Sequence, residues 1–304
     1  MQDSPNRVVV VGQLGRDLVL RVDRLPGAGG SATVSERIER LGGKGANQAV
    51  GLRQLGADVA LVGVVGADQA GALALADAAR SGLDLDAVVR RGRTALFVDL
   101  VEPDGARRLL EDVPPEALLT PEDVRAAEGT IRGAHVLSLQ LQQPPDALLA
   151  AARLGFESGA RIVLDGAVEG PARDELLGMA SVLRADSAEA AILVAKTLSS
   201  RGEALAAARL LLEAGPDVVA LAVPGGGNLV AWRDGSRFFP HGEPDAVDPT
   251  GAGDAFVAGL IRGMLDGAAP AELGRLAADA ASSTVLRLGG RPDLSGLAAR
   301  GAHA

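Results

Sequence analysis

The chain has no cysteine and only three histidines among its 304 residues. The first absence excludes disulfides, thiolate chemistry and any cysteine-based zinc site. His135, His241 and His303 lack metal-ligand spacing, so each reads as a satisfied or surface side chain. Basic charge is in deficit: 30 Lys and Arg stand against 39 Asp and Glu, a net charge of −9. Nucleic acids and anionic membranes need clustered cations, and the adjacent pairs here, Arg90-Arg91 and Arg107-Arg108, are isolated. No run approaches the ~18 uninterrupted apolar residues of a membrane span. The N-terminus also lacks a basic segment leading into an apolar one, so a cytoplasmic location is expected. Repeats, low-complexity tracts and long linkers are missing too.

What is present alternates. Arg7 to Gly12 is a β-branched run ending in glycine, the pattern of a strand buried on both faces. Gly43 to Leu55 has helical spacing, with Gly56 as its C-terminal stop. The segments "ADVALVGVVG", "AHVLSLQL", "ARIVLDGA" and "PDVVALAVPG" read as further buried strands separated by helices. At "LTPEDV" a helix start is explicit: Thr120 suits the N-cap, Pro121 the first turn and Asp123 the positive end of the helix dipole. This alternation implies an α/β fold, a doubly wound, mainly parallel sheet with helices on both faces. Two stretches break the rhythm, at about 18–41 and 94–110. They alternate apolar and polar residues without helices, and "EPDG" (Glu102 to Gly105) marks a hairpin turn between two runs. They are expected to form a small antiparallel sheet inserted into one domain spanning residues 1–304.

Two glycine-rich segments carry the chemistry. In "AVDPTGAGDAFVAGL", Gly251, Ala252 and Gly253 leave backbone amides uncovered at a helix N-terminus, a natural anion site. Asp254 falls in the first turn beside them; alone, it reads equally as a residue complementing the helix dipole. The segment is not a Walker loop, and no G-x-G-x-x-G follows the first strand to suggest a dinucleotide. The second segment, "GGKGANQAV", again places glycines before a helix, now with Lys44 and Asn47. Together and in this order, the two resemble the signatures of the PfkB carbohydrate kinases, the ribokinase-like family, and its ribokinase branch in particular.

The resemblance implies a ribokinase-like fold with a small β-sheet lid that often forms a homodimer interface. It implies ATP and Mg2+ as cofactors, with K+ as an optional addition, and a small sugar as acceptor. Asp254 would be the catalytic base, and the amides of Gly251, Ala252 and Gly253 the anion hole. Asp17, Gly42, Gly43, Lys44, Asn47 and Gln142 match acceptor-binding positions; Asp186, Gly225, Gly227 and Thr250 match the nucleotide side. Glu189 matches the magnesium network, and Asp248, with the region from Gly289 to Asp293, a monovalent-cation site. Asp186 also suits a plain helix N-cap.

Several positions depart from the family pattern. Gly15 stands where an asparagine is usual, Gln142 where a glutamate is usual, "DGAVE" where Asn-Pro-Ala-Pro is usual, and Pro224 at a glycine. Such changes in hydrogen bonding can redirect specificity. The expected activity is transfer of phosphate from ATP to a primary hydroxyl, with ribose to ribose 5-phosphate leading. Fructose, another pentose or a nucleoside are alternative acceptors, and a non-catalytic sugar or nucleotide sensor is the alternative of another class.

Overall fold

The opening valine run becomes β1 (Arg7–Val11) of the computed structural model, which describes residues 6–223, 226–241, 247–289 and 291–297. The chain continues as β2 (Gly15–Val22), β3 (Val34–Gly42), α1 (Lys44–Gln54), β4 (Asp58–Val65), α2 (Gln69–Arg80), β5 (Val88–Arg90), β6 (Ala95–Val101) and β7 (Arg107–Asp112). Next come α3 (Pro121–Ala126), α4 (Glu128–Arg132), β8 (Val136–Gln140), α5 (Pro145–Glu157), β9 (Arg161–Asp165), α6 (Pro171–Met179) and β10 (Ala180–Ala185). The remainder is α7 (Ser187–Val194), α8 (Arg201–Glu213), β11 (Val218–Val223), β12 (Gly227–Trp232), β13 (Gly235–Pro240), α9 (Ala252–Leu265) and α10 (Pro270–Thr284).

Nine strands form one sheet in the order β13-β12-β11-β10-β9-β8-β1-β4-β5. All neighbours from β5 to β11 are parallel, and the β11–β12 and β12–β13 pairs at the other edge are antiparallel. Alternation along β1 builds two cores. Val8 and Val10 face the layer of α1 and α9, whereas Val9 and Val11 face that of α4, α5 and α8. The order reverses at β1, which has β4 on one side and β8 on the other. In such sheets the crevice beyond the carboxyl ends of the strands at the reversal is the natural ligand position.

The second sheet has the order β3-β2-β6-β7. Its two outer pairs are antiparallel, as expected, but the central pair β2–β6 is parallel. The reason is connectivity: the chain leaves β3, completes α1 to β5, and re-enters as β6, so no hairpin imposes the opposite direction. Glu102 and Gly105 do make the expected tight turn, with the Gly105 amide donating to the Glu102 carbonyl at 3.0 Å. The lid strands begin at Gly15 and end at Asp112, slightly outside the ranges read from alternation. The strands β5, β10, β12 and β13 have no counterpart in the sequence reading.

Close approach explains how the helices pack. Gly51 of α1 lies where a Cβ would be 3.1 Å from the Ala258 methyl of α9, so these helices meet with little between them. Helix α3 begins as its sequence indicates: Thr120 and Asp123 form a reciprocal capping box, and Arg91 pairs with Asp123 at 2.8 Å. Replacing Thr120 with Ala should therefore destabilise the fold by about 1 kcal/mol, measured as a lower urea midpoint with an unchanged slope.

Candidate active site

The strands at the reversal end in polar side chains. Gln13 follows β1, Gln140 and Asp165 close β8 and β9 in register, and Arg184 lies near the end of β10. Helix α1 is brought against them by glycine. Gly43 has φ +90°, and a side chain there would meet the Gln13 carbonyl at 2.7 Å; one at Gly45 would meet the backbone of Gly12. This contact aims the first turn of α1, with Lys44, Asn47 and Gln48, at the strand ends.

Helix α9 arrives from the other side. Its N-cap, Gly251, is left-handed at φ +73° and offers no side chain to the first-turn amides. Ala252 N–H makes only a long bond of 3.3 Å to the Pro249 carbonyl. The amides thus remain suited to an anion. Asp254, in that first turn, is buried and points inward: Asn47 Nδ2 donates to one carboxylate oxygen at 3.1 Å and Gln48 Nε2 to the other at 3.4 Å.

Gln48 carries the network onward. Its Nε2 also donates to Asp165 at 2.7 Å, and its Oε1 accepts from Ser138 Oγ at 3.1 Å. Asp165, wholly buried, pairs with Arg184 at 3.0 Å. The Arg184 guanidinium reaches Glu189 at 3.8 Å, and Glu189 pairs with Lys44 at 3.0 Å. Arg184 also lies against the first turn of α9, where a Cβ at Gly253 would be 2.7 Å from Nη2. Two carboxylates and two cations therefore alternate beneath the uncapped amides.

Burial dominates the electrostatics. It pushes Asp254 up to about 7, and the charge of Asp165 adds to this against the pull of Lys44, Asn47 and Arg184. Burial would also raise Glu189, but Lys44 and Arg184 hold it below the ordinary value. Asp17, at the lid junction, is likewise pushed to about 7, first by burial and then by Asp99, while Arg40 and the Gly43 amide act the other way. The charge of Asp254 acts on it in the same direction as burial and Asp99.

Of the expected residues, the structure brings Lys44, Asn47, Glu189, Gly253 and Asp254 together in this network. Gly42 packs so closely on Asp17 that any side chain would strike its carboxylate. Thr250 donates from both N and Oγ1 to the buried Asp248. Asp186 is the N-cap of α7, accepting from the Ala188 and Glu189 amides. Gly227 is a buried β12 residue whose positive φ and contact with the Phe239 carbonyl leave no room for a side chain. Gly225 and Pro224 lie outside the described residues. Gln142 is exposed, and its bond is through the backbone, accepting from Gln13 Nε2 at 3.4 Å. The position of Gly15 is filled from the lid: a Cβ there would meet the Ala95 carbonyl at 2.6 Å and the Phe97 ring at 2.8 Å.

Motif reading missed Arg184, Asp165 and Gln48. A lone arginine inside the apolar run "ASVLRA" was the available signal for the first. Gln140 was missed as well; it is fully buried with both amide atoms unpartnered, the condition of a group that meets water or ligand.

Comparison with known proteins agrees with this geometry. The profile of the pfkB family carbohydrate kinases matches residues 5–295. The chain belongs to this family. The pfkB relatives include an ATP-dependent ribose-1-phosphate kinase of Halopiger xanaduensis, 36% identical over 84% of this chain and 83% of the relative. They also include mouse ribokinase, 31% identical over 85% and 82% of the two chains. The structure of Arabidopsis thaliana ribokinase complexed with ribose and ATP superimposes with a TM-score of 0.79 and 26% identity, covering 97% of this chain and 98% of that one. The pfkB chain described here is an ATP-dependent sugar kinase.

The raised carboxyls have a measurable consequence. Asp17 and Asp254 keep their protons to about 7 when folded, but only to about 4 when unfolded. The folded chain binds more protons between those values, so their contribution to stability is complete below about pH 4 and lost as pH rises through about 7. Asp254→Asn should flatten that slope, melting above the parent at about pH 8 and close to it near pH 4. Thermal melting across this range checks it.

Proposed function

We propose that the chain transfers the terminal phosphate of ATP to the primary hydroxyl of a small sugar, with ribose the leading acceptor and ribose 5-phosphate its product. The observation that carries this reading is the buried Asp254 carboxylate in the first turn of α9, beside uncapped amides and held by Asn47 and Gln48. In this reading Asp254 takes the hydroxyl proton as the bond to phosphorus forms, and its raised proton affinity suits a base working near neutrality. The amides of Gly251, Ala252 and Gly253 face the charge that develops on the transferred group. Lys44 and Arg184 flank the same point, and Asp17 with Asn47 orients the sugar. Gln140 contributes both atoms of its side-chain amide, and Gln13 its Oε1, all without partners at the strand ends.

Magnesium fits the residues present. This ion is commonly held by one or two carboxylates together with nucleotide phosphates and water; Glu189, whose oxygens accept from Lys44 Nζ at 3.0 Å and the Asp186 amide at 2.8 Å, would hold it through water. Asp186 is committed to capping α7. Magnesium would neutralise phosphate charge during transfer. The lid supports an assignment as a homodimer surface, since β3 and β7 are exposed and carry Val34, Leu109 and Leu110 on their surfaces.

A second reading has a specific basis: the Halopiger relative is named for ribose 1-phosphate. Here the same primary hydroxyl would be phosphorylated on a sugar already carrying an anomeric phosphate. ADP release measured with ribose, ribose 1-phosphate, fructose, other pentoses and nucleosides separates the two by their kcat/KM. Asp254→Asn should lower kcat by about 10²–10⁴ while retaining sugar and nucleotide binding. No turnover with any acceptor, from folded protein, would leave the sensor alternative in its place.

A further inference from the structure

Asp248 and the turn after α10 are where the family resemblance implies a monovalent cation, and the residues present do not fit one. Asp248 is completely buried. One of its oxygens accepts from the Thr250 amide and hydroxyl at 2.9 and 2.6 Å, and the other accepts from the Gly289 amide at 2.7 Å. The amides of Val247 and Asp248 donate in turn to the Val285 carbonyl at 2.8 and 3.2 Å. These bonds fasten the segment leading into the anion hole to the turn 285–289. That turn follows the C-terminus of α10, where the helix carbonyls gather partial negative charge beside the full charge of Asp248. A buried carboxylate beside the negative end of a helix dipole favours a cation nearby.

Arg40 supplies one. It projects from β3, opposite Asp17 in register, and its Nη2 donates to the Leu288 carbonyl at 3.3 Å. Its guanidinium lies on Gly289 so closely that a side chain at that residue would collide with it, and Gly289 also has φ +94°. Burial lowers the proton affinity of Arg40 and Arg291 adds to this, while Asp17, Asp248 and Asp77 act the other way; a guanidinium keeps its charge throughout the working pH range. Arg291 is itself held by Asp77, at 2.8 and 2.9 Å, and by Ser81. A metal ion here would need several oxygens turned toward it, whereas the Leu288 carbonyl and both Asp248 oxygens already face N–H or O–H donors.

We propose that Arg40 is a built-in replacement for the monovalent cation, neutralising the pocket behind the anion hole and tying the lid to it, so that the enzyme works without potassium. The effect on rate rests on the kinase reading above; the effect on melting does not. The parent, Arg40→Met and Arg40→Lys are compared in potassium, sodium and tetramethylammonium chlorides at equal ionic strength, by kcat, acceptor KM and Tm. The parent should be indifferent to the cation in every measure, and Arg40→Lys should remain so. Arg40→Met should lose at least about tenfold in kcat in tetramethylammonium, from the unneutralised charge, and regain much of it in potassium. Its Tm should rise with potassium concentration, as expected when an ion binds only the folded state. A parent activated severalfold by potassium would overturn the proposal. So would an Arg40→Met variant unmoved by potassium in both rate and melting, or one changed only in acceptor KM. Were no acceptor found for the parent, the kinase reading would fail, while potassium-dependent melting confined to Arg40→Met would still support the arginine's role.

Discussion

Two carboxylates, Asp165 and Asp254, are buried in one cleft and share the amide of Gln48. Like charges in so dry a place cannot both ionise freely, and much of the surrounding structure answers that constraint. Arg184 is fixed to Asp165, Glu189 lies between Arg184 and Lys44, and Asn47 holds the far oxygen of Asp254. Breaking one member of a buried pair leaves its partner's charge uncompensated, which costs more than the pair contributes. The network therefore fixes relative positions: it locks β9, β10, α1, α7 and α9 at the point where sugar and nucleotide would meet.

The same alternation of charge gives the site its electrostatic character. Cations and helix N-termini point at one location from two sides, set before any substrate arrives, and such preorganisation is the larger part of what phosphoryl transfer asks of a protein. The lid extends the scheme. Asp17 sits at its root, buried and raised in proton affinity, while Arg40 reaches from the neighbouring strand to the Leu288 carbonyl in the turn after α10. The small sheet and the turn after α10 are thus joined through β3.

Much of this was legible locally. Thr120 with Asp123 announced a helix start because capping is a matter of adjacent residues, and the capping box was found there. "GGKGAN" and "DPTGAGD" showed uncapped helix starts because glycine's backbone freedom is a local property. The strand β10 is hidden because Arg184 interrupts its apolar pattern, and β12 and the edge strand β13 because their polar and apolar residues do not alternate regularly. Gln142 has its place in a motif, yet its side chain is exposed, while Gln140 two residues earlier is fully buried at the end of β8 with its amide unpartnered.

The sequence by itself determined the alternating strands and helices, the two glycine-rich helix starts and the carboxylate in the second. These follow from periodicity and backbone conformation, which depend on near neighbours along the chain. Only the tertiary structure decided that Arg184 faces Asp165, that Gln48 bridges two carboxylates, that Phe97 fills the place beside Gly15, and that the central lid strands run parallel. Each of those joins residues far apart in sequence, and a buried charge acquires its partner only when the chain has closed around it.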